Sequence, residues 1–187
     1  MEAWLNCDKT IIIDKALRRY RLAWHDILAH AVLQTPARPC KRARLMRGPW
    51  RYSRYDIRVF LITTEGVREV SIELDFENAT FKSQERNNFR FEAVSSVHLS
   101  ETDEFSYTLN LTLMNGPVKE IAVTKPEPQD HNSDETPSEL SEINLDAAGF
   151  AHTRHILEGI AAEGKTWIDR YRTAGASDER SPTAARG

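Results

Sequence analysis

Cysteine is almost missing from this chain of 187 residues: only Cys7 and Cys40 occur. Two distant thiols supply neither a disulfide framework nor the ligands of a four-cysteine zinc site, so both read as ordinary thiols. Glycine is also sparse and scattered, with eight residues. There is no Gly-rich phosphate loop and no G-x-S-x-G elbow, which removes the local signatures of nucleotide binding and of serine hydrolysis. Long apolar runs are absent too. Ile11-Ile12-Ile13 and Val59-Phe60-Leu61-Ile62 fall far short of the roughly 20 residues that cross a bilayer as a helix. Met1-Glu2-Ala3-Trp4 has neither the basic start nor the apolar core of a secretion signal, so the expectation is a cytoplasmic chain.

What is present supports a real core, since 40% of the residues are hydrophobic. Net charge is −3, but its distribution is uneven. From Met1 to Arg58 there are 13 Lys or Arg against 5 Asp or Glu, whereas Glu127 to Asp146 holds 7 acids and no Lys or Arg. The segments are electrically opposite.

Residues 1–51 read as an N-terminal helix and a basic linker. Leu17, Tyr20, Trp24, Ile27, Leu28 and Ala31 recur at three- and four-residue steps, which predicts a helix over Asp14 to Gln34 with Asp14 as its cap. Pro36 ends it, and Thr35 to Arg51 follows with Pro36, Pro39, Gly48 and Pro49 and no periodicity. From Tyr52 the period becomes two. Tyr55, Ile57, Val59 and Leu61 line one strand face up to a Thr63–Gly66 turn, and Glu69, Ser71, Glu73 and Asp75 alternate with Val70, Ile72, Leu74 and Phe76 as a solvated face against a dry one. Asn78-Ala79 and Asn87-Asn88 read as further turns, with a short strand at Phe81 between them. Leu109, Leu111 and Leu113 precede Asn115-Gly116, a strong hairpin signal, with Ile121 and Val123 on the return strand. Lys125 to Leu140 is acidic, Pro-rich and poor in apolar residues, and reads as a mobile loop. A helix over 145–172 carries an apolar stripe through Phe150, Ile156, Leu157, Ile160, Trp167 and Ile168, leaving His152, His155 and Glu163 outside; residues 173–187 read as a disordered tail.

The fold class predicted is α+β: an antiparallel β-barrel or sandwich with an N-terminal helix and a long C-terminal capping helix. The meander, the break at Phe91-Glu92-Ala93-Val94-Ser95-Ser96-Val97, the Leu-rich hairpin through Asn115-Gly116 and the final helix together resemble the bacterial PH-like domains, over roughly Tyr52 to Tyr171. Small-residue steps such as Val94 to Val97 and leucines alternating up to a Gly turn carry that resemblance. It implies a binding scaffold and names no ligand. The acidic insertion and the N-terminal helix depart from the family's pattern.

No catalytic residue, cofactor or metal is predicted. His152 and His155 share a helix face with Glu158, and His25 and His30 lie upstream, but HExxH is absent and no cysteine is near. The candidate site is the basic strip of Arg38, Lys41, Arg42, Arg44, Arg47 and Arg51, interleaved with the aromatic residues Trp50 and Tyr52. Such a strip suits a protein partner, an anionic membrane surface or nucleic-acid phosphates. It also suits neutralisation by the acidic segment of the same chain. The function expected is a non-catalytic, PH-like interaction or scaffolding module. A nucleic-acid-associated factor using residues 38–58 is the alternative, although a net negative chain is unlike a dedicated nucleic-acid binder. An enzyme with a site dispersed in sequence is the second.

Overall fold

The computed structural model describes residues 2–44, 48–103, 106–114, 116, 118–123 and 137–170. The first element, α1 (Glu2–Tyr20), gives way through a 3₁₀ turn (Trp24–Asp26) to strand β1 (Ile27–Pro36). The helix predicted over Asp14–Gln34 is therefore corrected. Arg21 takes a left-handed conformation, φ 55°, and Leu22 N–H donates to Leu17 O at 3.0 Å, which terminates α1. Beyond it Ala29, Ala31 and Leu33 are buried at two-residue spacing along a strand. Asp14 does not cap a helix start. It lies inside α1 and accepts a hydrogen bond from Trp24 Nε1 at 3.2 Å.

The region read as an aperiodic linker contains a small hairpin, β2 (Arg42–Arg44) and β3 (Trp50–Tyr52). β4 (Arg54–Thr63), β5 (Gly66–Asp75) and β6 (Thr80–Phe89) then complete a four-stranded antiparallel sheet in the order β1-β4-β5-β6. The turn predicted at Asn87-Asn88 is instead the end of β6, because Asn87 and Asn88 pair with Glu69 and Arg68. The chain reverses later, in a 3₁₀ turn at Phe91–Ala93. A second antiparallel sheet of three strands follows: β7 (Val94–Asp103), β8 (Ser106–Leu113) and β9 (Lys119–Val123). The register of β7 on β8 slips between Val94 and Ser96, where the sequence breaks its alternation at Ser95-Ser96.

The architecture is α+β with antiparallel sheets, and among the described residues they do not close into a barrel. The free edge of β1 is met by the α2–α3 junction instead of a closing strand: Gln34 N–H donates to Ala148 O at 2.9 Å, and the His152 side chain bonds His30 O through Nε2 at 3.0 Å. The predicted continuous helix over 145–172 is also corrected. α2 (Pro137–Ala147) and α3 (Phe150–Glu163) meet at Gly149, φ 73°, where any Cβ would strike Val32 O, and a further helical stretch over 165–170 follows Gly164. Of the predicted acidic loop, residues 125–136 lie outside the described residues and 137–140 are helical. The predicted tail, 173–187, also lies outside them.

Each face of the four-stranded sheet has its own apolar cover. Ile12, Ile13, Ala16 and Leu17 of α1 pack on Tyr55, Ile57, Val59, Leu61, Val70, Ile72 and Leu74. On the other face Phe60, Ile62 and Val67 meet Leu109, Leu111 and Ile121 of the second sheet and Phe150, Ile156, Leu157 and Ile160 of α3. The second cover overturns the reading of Glu69, Ser71, Glu73 and Asp75 as a solvated row, since Glu69, Ser71 and Asp75 are buried. Glu69 accepts hydrogen bonds from Arg58 Nη1 at 2.8 Å and Lys119 Nζ at 2.7 Å. Asn78 first, with Arg54 behind it, holds the Asp75 carboxyl below its usual range, so it stays ionised at neutral pH. No described helix is long and apolar enough to cross a membrane.

The helical stripe lies inward as its spacing predicts: Phe150, Ile156, Leu157, Ile160, Trp167 and Ile168 are all buried. Trp167 folds back so that its indole covers Gly159, where an added Cβ would collide with the ring. Trp167→Ala is expected to cost about 3–5 kcal/mol by leaving a cavity, and Gly159→Ala to lower the melting temperature by displacing the same ring. A melting curve unchanged in both variants would show that the indole is not seated there.

Candidate anionic-surface interface

The basic strip is carried by the hairpin inserted between β1 and β4. Its register pairs Arg42 with Tyr52, Ala43 with Arg51 and Arg44 with Trp50. Directly opposed residues of an antiparallel pair share a face, so Arg42, Arg44, Trp50 and Tyr52 lie together and Arg51 lies on the reverse. The Arg42 guanidinium sits 4.7 Å from the centre of the diagonal Trp50 ring, a cation–π contact. Arg44 Nε donates to Gly48 O at 2.7 Å and draws in the turn. Arg38, Lys41 and Arg42 are exposed, whereas Arg44, Trp50, Arg51 and Tyr52 are half-buried. Lys41 forms an exposed ion pair with Glu77 at 2.9 Å, a contact of small energetic weight. Arg47 lies outside the described residues.

Several bonds fix the hairpin to the body. Lys41 and Ser53 exchange two, Ser53 N–H to Lys41 O at 2.8 Å and Lys41 N–H to Ser53 Oγ at 2.9 Å, and Phe76 N–H donates to Ser53 O at 2.9 Å. Tyr52 N–H donates to the Tyr55 hydroxyl at 2.9 Å, and the Tyr52, Tyr55 and Phe76 rings form successive edge contacts at 5.7 and 6.0 Å. Burial, with Tyr55 beside it, pushes the Tyr52 phenol up to about 12, so it remains a neutral donor at physiological pH. The arrangement presents cations with aromatic backing. Asn144 of α2 was not legible as part of it. Its Oδ1 accepts the Trp50 N–H at 2.8 Å across 94 residues, and no local pattern signals a contact of that range. The same bond sets α2, with the acids Glu139, Glu142 and Asp146, against the hairpin.

The histidines do not converge on a ligand site. His152 bonds the His30 backbone, His155 lies edge-on to Trp167 at 5.4 Å, and His25 pairs with Asp26 at 3.4 Å. Among the described residues no group of three or more His, Cys, Asp or Glu is placed to hold a metal ion. Burial first, and the neighbouring His152 second, hold the His30 imidazole below its ordinary value. The folded state therefore binds fewer protons than the unfolded chain just below pH 6.5, the ordinary value. His30 favours folding fully above that pH and progressively less as acid is added. An NMR titration should give a His30 midpoint below 6.5 that moves upward in His152→Ala; an unmoved midpoint would show that the two rings do not interact.

No protein-family model matches this chain, and neither does any curated protein or solved structure.

Proposed function

We propose that the chain is a non-catalytic interaction module of PH-like type that docks on the acidic surface of a partner protein through the β2–β3 hairpin. The observation that carries this reading is the exposed set of cations: Arg38 and Lys41 lead into the hairpin and Arg42 lies on it, and the backbone N–H groups of its Trp50 and Tyr52 are tied to Asn144 and Tyr55. Preorganised charge of this kind gives an interface specificity and a fast on-rate. The PH-like assignment is supported by a strand meander followed by closing helices, the order on which the resemblance rests. A protein partner is favoured over a bilayer because none of the exposed large apolar side chains of the described residues, Ile11, Trp24, Phe81, Met114 and Val118, belongs to the hairpin. The net charge of −3 disfavours nucleic acid.

The test is binding to poly-glutamate, with anionic vesicles and duplex DNA as parallel arms. Wild-type protein should bind poly-glutamate at low salt. Reversing Arg38, Lys41 and Arg42 to Glu should weaken binding by at least about tenfold, as expected when several contacts near 1 kcal/mol each are lost. Binding should fade as added salt shortens the Debye length to a few ångströms, and the variant should melt like the wild type. Equal binding by wild type and variant, or binding to vesicles or DNA alone, would overturn the reading.

A further inference from the structure

The β2–β3 hairpin and α2 are neighbours of opposite charge. Asn144 ties them together, its Oδ1 accepting the Trp50 N–H at 2.8 Å. α2 carries Glu139, Glu142 and Asp146 and no Lys or Arg. A helix turns by about 100° per residue, so these acids, spaced by three and then four positions, form one row. Asn144 stands two residues from Glu142 and two from Asp146, which places it on the opposite side of the helix. The side of α2 that meets the hairpin is therefore that of Asn144, and the acid row points away, with all three acids exposed. Several other exposed acids are already matched: Glu65 with Arg68, Glu77 with Lys41, Glu158 with Arg154 and Glu163 with Arg170. Glu142 and Asp146 make no ion pair among the described residues, and neither does Arg38 before the hairpin.

We propose that the acidic partner of the hairpin is a second copy of this chain, with the cations of one copy seated on the α2 acid row of the next. The proposal rests on the reading of the hairpin as a docking element for an acidic surface, and it names that surface. Charge complementarity supports it, since the exposed Arg38, Lys41 and Arg42 face an exposed row of three acids on a helix that holds no cation. The Asn144 bond turns that row away from the hairpin of its own copy, so the two sets meet only between copies. Lys41 exchanges its exposed pair with Glu77 for the new contact at little cost. The contact joins unlike surfaces and so adds copies head to tail. Exposed ion pairs are individually weak, which makes the association dependent on concentration and on salt.

The experiment is sedimentation velocity on the full chain over a concentration series at low salt, beside the poly-glutamate assay. The wild type should associate reversibly and return to monomer as salt is added. Arg38→Glu/Arg42→Glu keeps the acid row, and Glu142→Lys/Asp146→Lys keeps the hairpin. Each should need a concentration about tenfold or more higher to associate, because attraction is lost and repulsion introduced. Mixed in equal amounts, the two variants should form a complex that neither forms alone, since the intact hairpin of one meets the intact row of the other. Lys is a good helix former, and both variants should melt like the wild type. Only the α2 variant should still bind poly-glutamate. A wild type that stays monomeric at every concentration yet binds poly-glutamate overturns the second copy as partner and leaves the hairpin reading standing; one that does neither overturns both. Self-association that survives either variant, or a mixture that stays monomeric, also overturns the proposal.

Discussion

A carboxylate with no solvent access holds the two sheets together. Glu69 is 0% exposed and meets Arg58 Nη1 at 2.8 Å, Lys119 Nζ at 2.7 Å and Asn87 Nδ2 at 3.1 Å. An ionised carboxylate buried without partners is severely destabilising, so the fold must bring cations to it. Arg58 comes from the neighbouring strand, but Lys119 comes from β9, in the other sheet. Placing Lys119 over Glu69 carries the three-stranded sheet onto the face of the four-stranded one, which also covers Phe60, Ile62 and Val67. What remains open is the side at β1 and β7, and α3 packs against both strands there.

The four-stranded sheet is thereby covered on both faces, by α1 on one and by the second sheet with α3 on the other. The β2–β3 hairpin stands beyond Pro36 and Arg54, at one end of that sheet, and its cations are part of neither apolar core.

Strands β4, β5 and β8 and the α3 stripe were legible because one face of each is consistently apolar at the right period. β1 was not, since Ile27, Leu28 and Ala31 satisfy a helical spacing while Ala29, Ala31 and Leu33 satisfy a strand, and a short apolar run cannot decide between them. The hairpin hid in a stretch rich in proline and arginine whose strands are three residues each, too short to show a period. The row Glu69, Ser71, Glu73 and Asp75 failed for a different reason. Alternation reports polarity and not exposure, and of the partners that permit burial of Glu69, Lys119 is 50 residues away and Arg58 11. The basic strip was found by charge alone, whereas the contact of Asn144 with Trp50 spans 94 residues and no local pattern carries it.

The inter-sheet contact of Glu69 with Lys119 is tested most directly by a double-mutant cycle of Glu69→Gln and Lys119→Met, read by denaturant unfolding. Each single change should destabilise the chain, Glu69→Gln more strongly because it leaves two cations facing a neutral amide. The double variant should recover part of the loss, with a coupling on the order of 2 kcal/mol. Additive effects, with coupling near zero, would contradict the claim that this ion pair joins the sheets.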